Sequence, residues 1–201
     1  NLPYEIIFIN DFSTDNTSEV VERLIKTRSQ ISFFNNKKKG LGSAIEQGIK
    51  NCKLKYVCIQ ACDMCDDIRD LKKYYKIIST ENLDAIFGSR FISGTIVKDY
   101  PLIKLILNRI FNNIVRVLFF TKYNDFTNGF KMYNRTTLKK LLPIVSENFN
   151  VFLEIPLKII SRKYSYKTIP INYYNRMIGV SKFEIKELGS MYLFTLLYCL
   201  F

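Results

Sequence analysis

Histidine is absent from this sequence of 201 residues. The commonest general base and metal ligand is therefore missing, and acid–base or metal chemistry falls to Asp, Glu, Lys, Tyr or Cys. No run of about 18 uncharged apolar residues occurs either, which excludes a complete membrane span within it. Linkers rich in Pro, Gly or Ser and internal repeats are also lacking, so one domain is the economical reading. Lys and Arg are scattered, with KKK at 37–39 as the one run, and no arm for nucleic acid is visible. The lysines of that run read as solvated charge.

What is present is an ordinary globular composition, 48% hydrophobic and 24% charged, with a net charge of +12. The charge points to anionic partners: phosphorylated small molecules, acidic lipid or nucleic acid. Five cysteines, an odd number, read as reduced cytoplasmic thiols. Cys62-Asp63-Met64-Cys65 has the spacing of a redox pair, but Asp63 and Asp66 would raise a thiol pKa rather than lower it. A zinc site would want more ligands at finger-like spacing.

Residues 4–9 (YEIIFI) are nearly all apolar, as a strand covered on both faces should be. Asp15-Asn16-Thr17 caps a helix over 17–28. The pattern continues with a strand at 31–34, a helix at 42–50, a strand at 55–60, a helix at 67–79 and a strand at 84–88. Alternation of this kind predicts an α/β fold, a mostly parallel sheet flanked by helices. Beyond residue 100 the spacing predicts a long helix over 101–120 with a polar strip of Asn108, Arg109, Asn112, Asn113 and Arg116. Helices follow at 135–142 and 150–162, a strand at 166–174, and a helix from 184. The uncharged stretch 188–201 suits a core or interfacial helix, or the start of a span.

In an open parallel sheet, ligands sit beyond the carboxyl ends of the strands. Asp11 follows the first strand, Asp63, Asp66 and Asp67 the third, and Arg90 the fourth. Asp15 reads as a turn or cap residue.

Six segments in order, FINDFSTDNT, KGLGSAIEQGI, ACDMCDD, GSRFISG, DFTNGFKMYNR and NRMIGVSK, resemble the motifs of family 2 glycosyltransferases. The resemblance covers about residues 4–188 and is nearest to the branch of polyprenyl- and dolichyl-phosphate mannosyl- and glucosyltransferases. It implies the Rossmann-like, nucleotide-sugar-binding GT-A fold over 1–188, with 189–201 as an apolar tail. Members carry another strand and helix ahead of the one at residue 4, so the sequence is expected to be a fragment lacking that unit.

The resemblance also implies roles. Asp11 matches the second acid of a pair that contacts the nucleotide base or ribose, with Asn10 in place of the first. Asp63 matches the last Asp of the metal-binding Asp-x-Asp, whose ion, Mg²⁺ or Mn²⁺, neutralises the diphosphate. Ala61 stands where the first Asp belongs, so either Asp63 works with Asp66 or Asp67, or the metal binds weakly. Arg176, Ser181 and Lys182 match a loop that closes over the donor phosphates, where Arg and Lys supply charge and Ser a donor. Arg90, Arg109 and Lys131 match positions facing an acceptor phosphate; Lys131 replaces a usual Arg. The strip around Arg109 reads equally as an exposed helix face. Asp125 is the candidate base if the acceptor is a hydroxyl.

The implied reaction moves a sugar from a GDP- or UDP-linked donor to a polyprenyl phosphate, with inversion, at the cytoplasmic face of a membrane. A saccharide hydroxyl in surface-polysaccharide assembly is the alternative acceptor. A non-catalytic basic scaffold for anionic lipid or nucleic acid is the alternative of another class.

Overall fold

The computed structural model describes residues 2–61, 65–174 and 185–201. The first half alternates as expected: β1 (Ile6–Asn10), α1 (Thr17–Thr27), β2 (Ile31–Asn35), α2 (Leu41–Asn51), β3 (Tyr56–Ile59), α3 (Asp70–Thr80) and β4 (Ala85–Ser89). Then come β5 (Val97–Lys98), α4 (Leu102–Leu118), β6 (Lys131–Asn134), α5 (Arg135–Lys140), α6 (Val151–Ser161), β7 (Tyr166–Pro170), β8 (Tyr173–Tyr174) and α7 (Ile185–Leu200).

The fold is α/β, but its strands pair in a more mixed way than simple alternation suggests. β1 and β2 pair in parallel. The central sheet runs β3-β6-β4-β7, with β4 and β7 parallel and β6 antiparallel to both its neighbours. β5 and β8 form a short parallel pair. Hydrophobic alternation missed β6 because its four residues, KMYN, carry Lys131 into the sheet's middle. The expected strand over 166–174 is two strands, separated by Ile171 and Asn172.

β4 holds the centre: Ala85, Ile86 and Phe87 are fully buried, as a strand with neighbours on both edges and cover on both faces must be. α6 is apolar all round, with Val151, Leu153, Ile155, Leu157 and Ile159 in the main core, as a helix without a solvent face should be. Its two charges, Glu154 and Lys158, form a buried pair at 2.5 Å. Glu154 accepts the amides of Val145 and Ser146, while Lys158 donates to the carbonyls of Leu141 and Pro143. That pair pins the 141–147 segment against α2. Gly42 completes the contact: a Cβ there would stand 1.7 Å from the Ser146 carbonyl oxygen.

One face of α7, through Tyr192, Leu196 and Cys199, joins the core, so the apolar end is in part a core helix. No helix among the described residues is long and apolar enough to cross a membrane. Cys52, Cys58 and Cys199 are free thiols.

Candidate active site

The end of β4 turns at Gly88-Ser89-Arg90 into a buried polar network. Arg90 is 7% exposed and Asp125 is 0% exposed. The guanidinium meets the carboxylate through two bonds, Nε to Oδ2 at 2.9 Å and Nη2 to Oδ1 at 2.7 Å. The Arg90 amide adds a third at 2.8 Å. Nη2 also reaches the Thr127 hydroxyl at 3.2 Å, whereas the Nη1 edge takes no partner among the described residues. Burial opposes the charge of Arg90, but Asp125 outweighs it and holds the guanidinium pKa above its ordinary value. Three rings surround the cation, with centres 5.3 Å (Phe91), 5.5 Å (Tyr100) and 5.3 Å (Tyr173) from its central carbon.

Arg109 comes to the same place from α4. Its guanidinium lies 4.4 Å from the Phe91 ring centre and its Nη1 donates to the Asn124 carbonyl at 3.1 Å. Two cations thus gather about one aromatic ring, a cation–π arrangement that holds them in place despite their mutual repulsion. Partial burial, then Arg116 and Arg90 as like charges, lower the Arg109 pKa, while Asp125 acts the other way.

The segment 123–131 is braced from several sides. The Ser89 hydroxyl donates to Asn124 Oδ1 at 2.6 Å, and Asn124 Nδ2 to the Phe91 carbonyl at 3.1 Å. From α4, Asn112 Oδ1 accepts the Phe126 amide at 2.6 Å, and Asn108 Nδ2 donates to Thr127 Oγ1 at 2.6 Å. Asn112 is buried and Asn108 half-buried. That half of the polar strip on α4 faces inward, while Asn113 and Arg116 are exposed. These asparagines, with Tyr100, Tyr173 and Thr127, went unnamed as site residues. The available signal was the i, i+4 pair of asparagines within the polar strip of that helix.

Two expected site residues stand differently from their sequence reading. Lys131, offered as a contact to an acceptor phosphate, is 1% exposed. Its ammonium is spent on the backbone carbonyls of Phe126, Asn128 and Phe152, so it props the loop from beneath. Burial lowers its pKa to about 7, with Asp125 pulling up and Arg90 pushing down. Asp125, offered as a base for a hydroxyl, has both oxygens engaged by Arg90.

The carboxylates that follow β3 are partly described. Asp66 forms a β-bridge with Tyr173, and the Tyr174 amide donates to the Cys65 carbonyl at 3.1 Å. The segment carrying Asp66 is thereby joined to the strand whose Tyr173 ring covers Arg90. Asp67 is taken by Arg69, whose hydrogen bonds hold its carboxyl down at about 2. Asp63 and the loop residues Arg176, Ser181 and Lys182 lie outside the described residues. The carboxylates that follow β3 offer hard oxygen donors, the chemistry that suits Mg²⁺ or Mn²⁺, which take one or two carboxylates and leave room for substrate phosphates. No group of three possible ligands gathers among the described residues.

Asp11 belongs to a separate cluster at the end of β1. Its Oδ1 accepts from Asn36 Nδ2 at 2.8 Å and from the Gly40 amide at 2.9 Å. Gly40 has φ +139°, a conformation that side chains disfavour, so the acid fixes a glycine turn at the start of α2. Asp15 is a turn residue as expected, accepting the Thr17 amide at 3.0 Å. A cavity of about 720 Å³ beside α2 includes Gly40 and Lys37–Lys39 in its lining but no residue of the Arg90 cluster. Within the lysine run, Lys38 pairs with Glu147 at 2.6 Å.

Known proteins share both sequence and shape with this chain. Residues 1–142 match the model of Glycosyl transferase family 2. Polyprenol monophosphomannose synthase of Mycolicibacterium smegmatis is 30% identical over 101 residues, covering 49% of this chain and 38% of that protein. Dolichyl-phosphate beta-glucosyltransferase of Saccharomyces cerevisiae is 24% identical over 190 residues, covering 85% of this chain and 57% of that protein. The chain thus spans less than two thirds of the length of these relatives. In shape it resembles glucosyl-3-phosphoglycerate synthase from Mycobacterium tuberculosis, solved with phosphoglyceric acid, at a TM-score of 0.71 and 15% identity over 97% of this chain and 68% of that one. The same synthase has been solved with Mn²⁺ and UDP-glucose.

Proposed function

The chain belongs to Glycosyl transferase family 2, has the GT-A fold, and from that premise we propose that it transfers a sugar from a GDP- or UDP-linked donor to a polyprenyl phosphate. The observation that carries the acceptor is the Arg90–Arg109 pair around Phe91, one guanidinium clamped by a buried carboxylate with its Nη1 edge unpartnered among the described residues. Paired guanidiniums suit a phosphate, whose oxygens accept two bonds from a planar fork.

An acceptor phosphate is already an anionic nucleophile. Its oxygen displaces the nucleoside diphosphate at the anomeric carbon; one C–O bond forms as the other breaks, with inversion, and no proton needs to be removed. That suits a chain with no histidine and with both Asp125 oxygens occupied. A saccharide hydroxyl would need a base that this cluster does not offer. Asp125 is therefore a positioning residue for Arg90, and Lys131 for the loop that carries Asp125.

On the donor side, Asp11 is assigned to the nucleoside, and Arg176, Ser181 and Lys182 to the diphosphate. Asp63 and Asp66 are the carboxylates that would hold Mg²⁺ or Mn²⁺, which when bound neutralises charge on the leaving diphosphate. Residues 1–188 are assigned to the catalytic domain, and the cytoplasmic face of a membrane to its place of work. Relatives named for lipid-phosphate substrates support the acceptor class; a basic scaffold without catalysis would have no use for Asp63.

The test is binding of GDP-mannose and UDP-glucose with and without Mn²⁺, on the natural chain and on Asp63→Asn. Metal-dependent binding of one donor, lost in the variant, is expected. Binding indifferent to metal and to Asp63→Asn would contradict the donor site.

A further inference from the structure

Helix α4 turns asparagines inward beside the buried Val115 and leaves a long apolar stripe outside. Its inward face carries Asn108 and Asn112, hydrogen-bonded to the 124–127 segment and to one another. Its outward face carries Ile103, Ile106, Ile110, Ile114 and Val117, all exposed. At 100° per residue these five fall in one stripe. Lys104 borders it on one side, Arg109 and Arg116 on the other. From Tyr100 to Asn124 the sequence has no Asp or Glu.

The end of the helix adds a second observation. Phe120 donates to the Val117 carbonyl and Thr121 to the Arg116 carbonyl, the Schellman pattern that normally places glycine at the left-handed position. Here that position is Phe120, with φ +46° and a side chain 97% exposed. An aromatic residue held in the αL region with its ring in water serves nothing in the fold.

From the apolar stripe, its cationic borders and the exposed ring, we infer that α4 lies in the plane of an anionic membrane surface. The isoleucines and Phe120 enter the headgroup–acyl boundary, and Lys104 and Arg116 meet the phosphates. The helix is too short to span. A second copy of this chain, packed helix to helix, fits the face less well, because α4 has no carboxylate of its own to bring to the other copy's cations. Arg109 borders the stripe and touches the Arg90 cluster, so docking sets that cluster at headgroup level. The inference rests on α4 and stands apart from the acceptor proposed above.

The chain has no tryptophan, so Ile110→Trp makes a sole reporter. With vesicles of equal parts phosphatidylcholine and phosphatidylglycerol, and no sugar donor, the chain should sediment. The reporter should shift to the blue and be quenched by brominated acyl chains. Lys104→Gln with Arg116→Gln should weaken binding more than tenfold, each cation near an anionic surface contributing about fivefold. Ile103→Asp with Val117→Asp should abolish binding with the circular dichroism unchanged. Phe120→Gly separates docking from folding: vesicle affinity should fall severalfold while the melting temperature holds or rises.

Three results would overturn the inference. The natural chain stays in the supernatant; or Ile103→Asp with Val117→Asp sediments as well as the natural chain; or sedimentation equilibrium shows a dimer that this double variant disperses, which would assign the face to a second copy.

Discussion

Replacing Asp125 with asparagine removes one charge from the Arg90–Asp125 pair while keeping its shape. The pair is almost wholly buried, 7% and 0% exposed on the two side chains. Breaking a buried ion pair by removing one partner costs about 3–5 kcal/mol, because the remaining charge has neither water nor counter-ion. The amide worsens the fit, since its NH₂ faces the guanidinium where an oxygen stood. For a domain whose total stability lies at about 5–15 kcal/mol, this is a large fraction. With a urea slope of ~2 kcal/mol per molar, the midpoint should fall by roughly 1.5–2.5 M. Urea unfolding followed by circular dichroism reads the shift. Replacing both members, Arg90→Met with Asp125→Leu, removes the stranded charge and should recover most of the loss. An Asp125→Asn variant as stable as the natural chain but unable to transfer sugar would refute the reasoning and return Asp125 to the role of base.

Two more perturbations probe the surroundings. Gly42→Ala drives a methyl into the carbonyl of Ser146, a residue whose amide Glu154 holds, and should cost about 1–3 kcal/mol as overpacking does; an unchanged urea midpoint would contradict the contact. Lys131 titrates at about 7 in the folded chain and at ~10.4 when unfolded. Between those values the unfolded chain binds the extra proton, so stability rises with pH in that window and is flat below it. Measured against Lys131→Met, the natural chain should gain up to about 1.4 kcal/mol per pH unit above pH 7.5; a constant difference would show that the lysine stays charged when folded.

The order of strands and helices in the first half was legible because Ile6–Asn10, Tyr56–Ile59 and Ala85–Ser89 are apolar runs followed by turn residues and amphipathic helices. β6 was hidden: Lys131 opens it, and carbonyls of Phe126, Asn128 and, from α6, Phe152 let a lysine sit in a buried strand. Helix α4 was placed correctly, but its inward face was not readable. Periodicity separates polar from apolar faces without saying which one the core takes, and here hydrogen bonds from Asn108 and Asn112 to a polar loop set the orientation. Arg90, Arg109 and Asp125 were named as candidates by motif, and the structure brings the three into one cluster. Their mutual geometry was beyond the sequence, because Asp125 lies 35 residues from Arg90 and meets it only through the sheet.

The most direct measurement sets polyprenyl phosphate against the unphosphorylated polyprenol and against a saccharide, each with the donor that binds, as radiolabelled sugar transfer across neutral pH. The account predicts transfer to the phosphate alone, at a rate that stays level once the phosphate is ionised and drops when Arg90 is replaced by glutamine. Equal transfer to the alcohol or the saccharide, with a rate that follows the ionisation of a protein base, would contradict it.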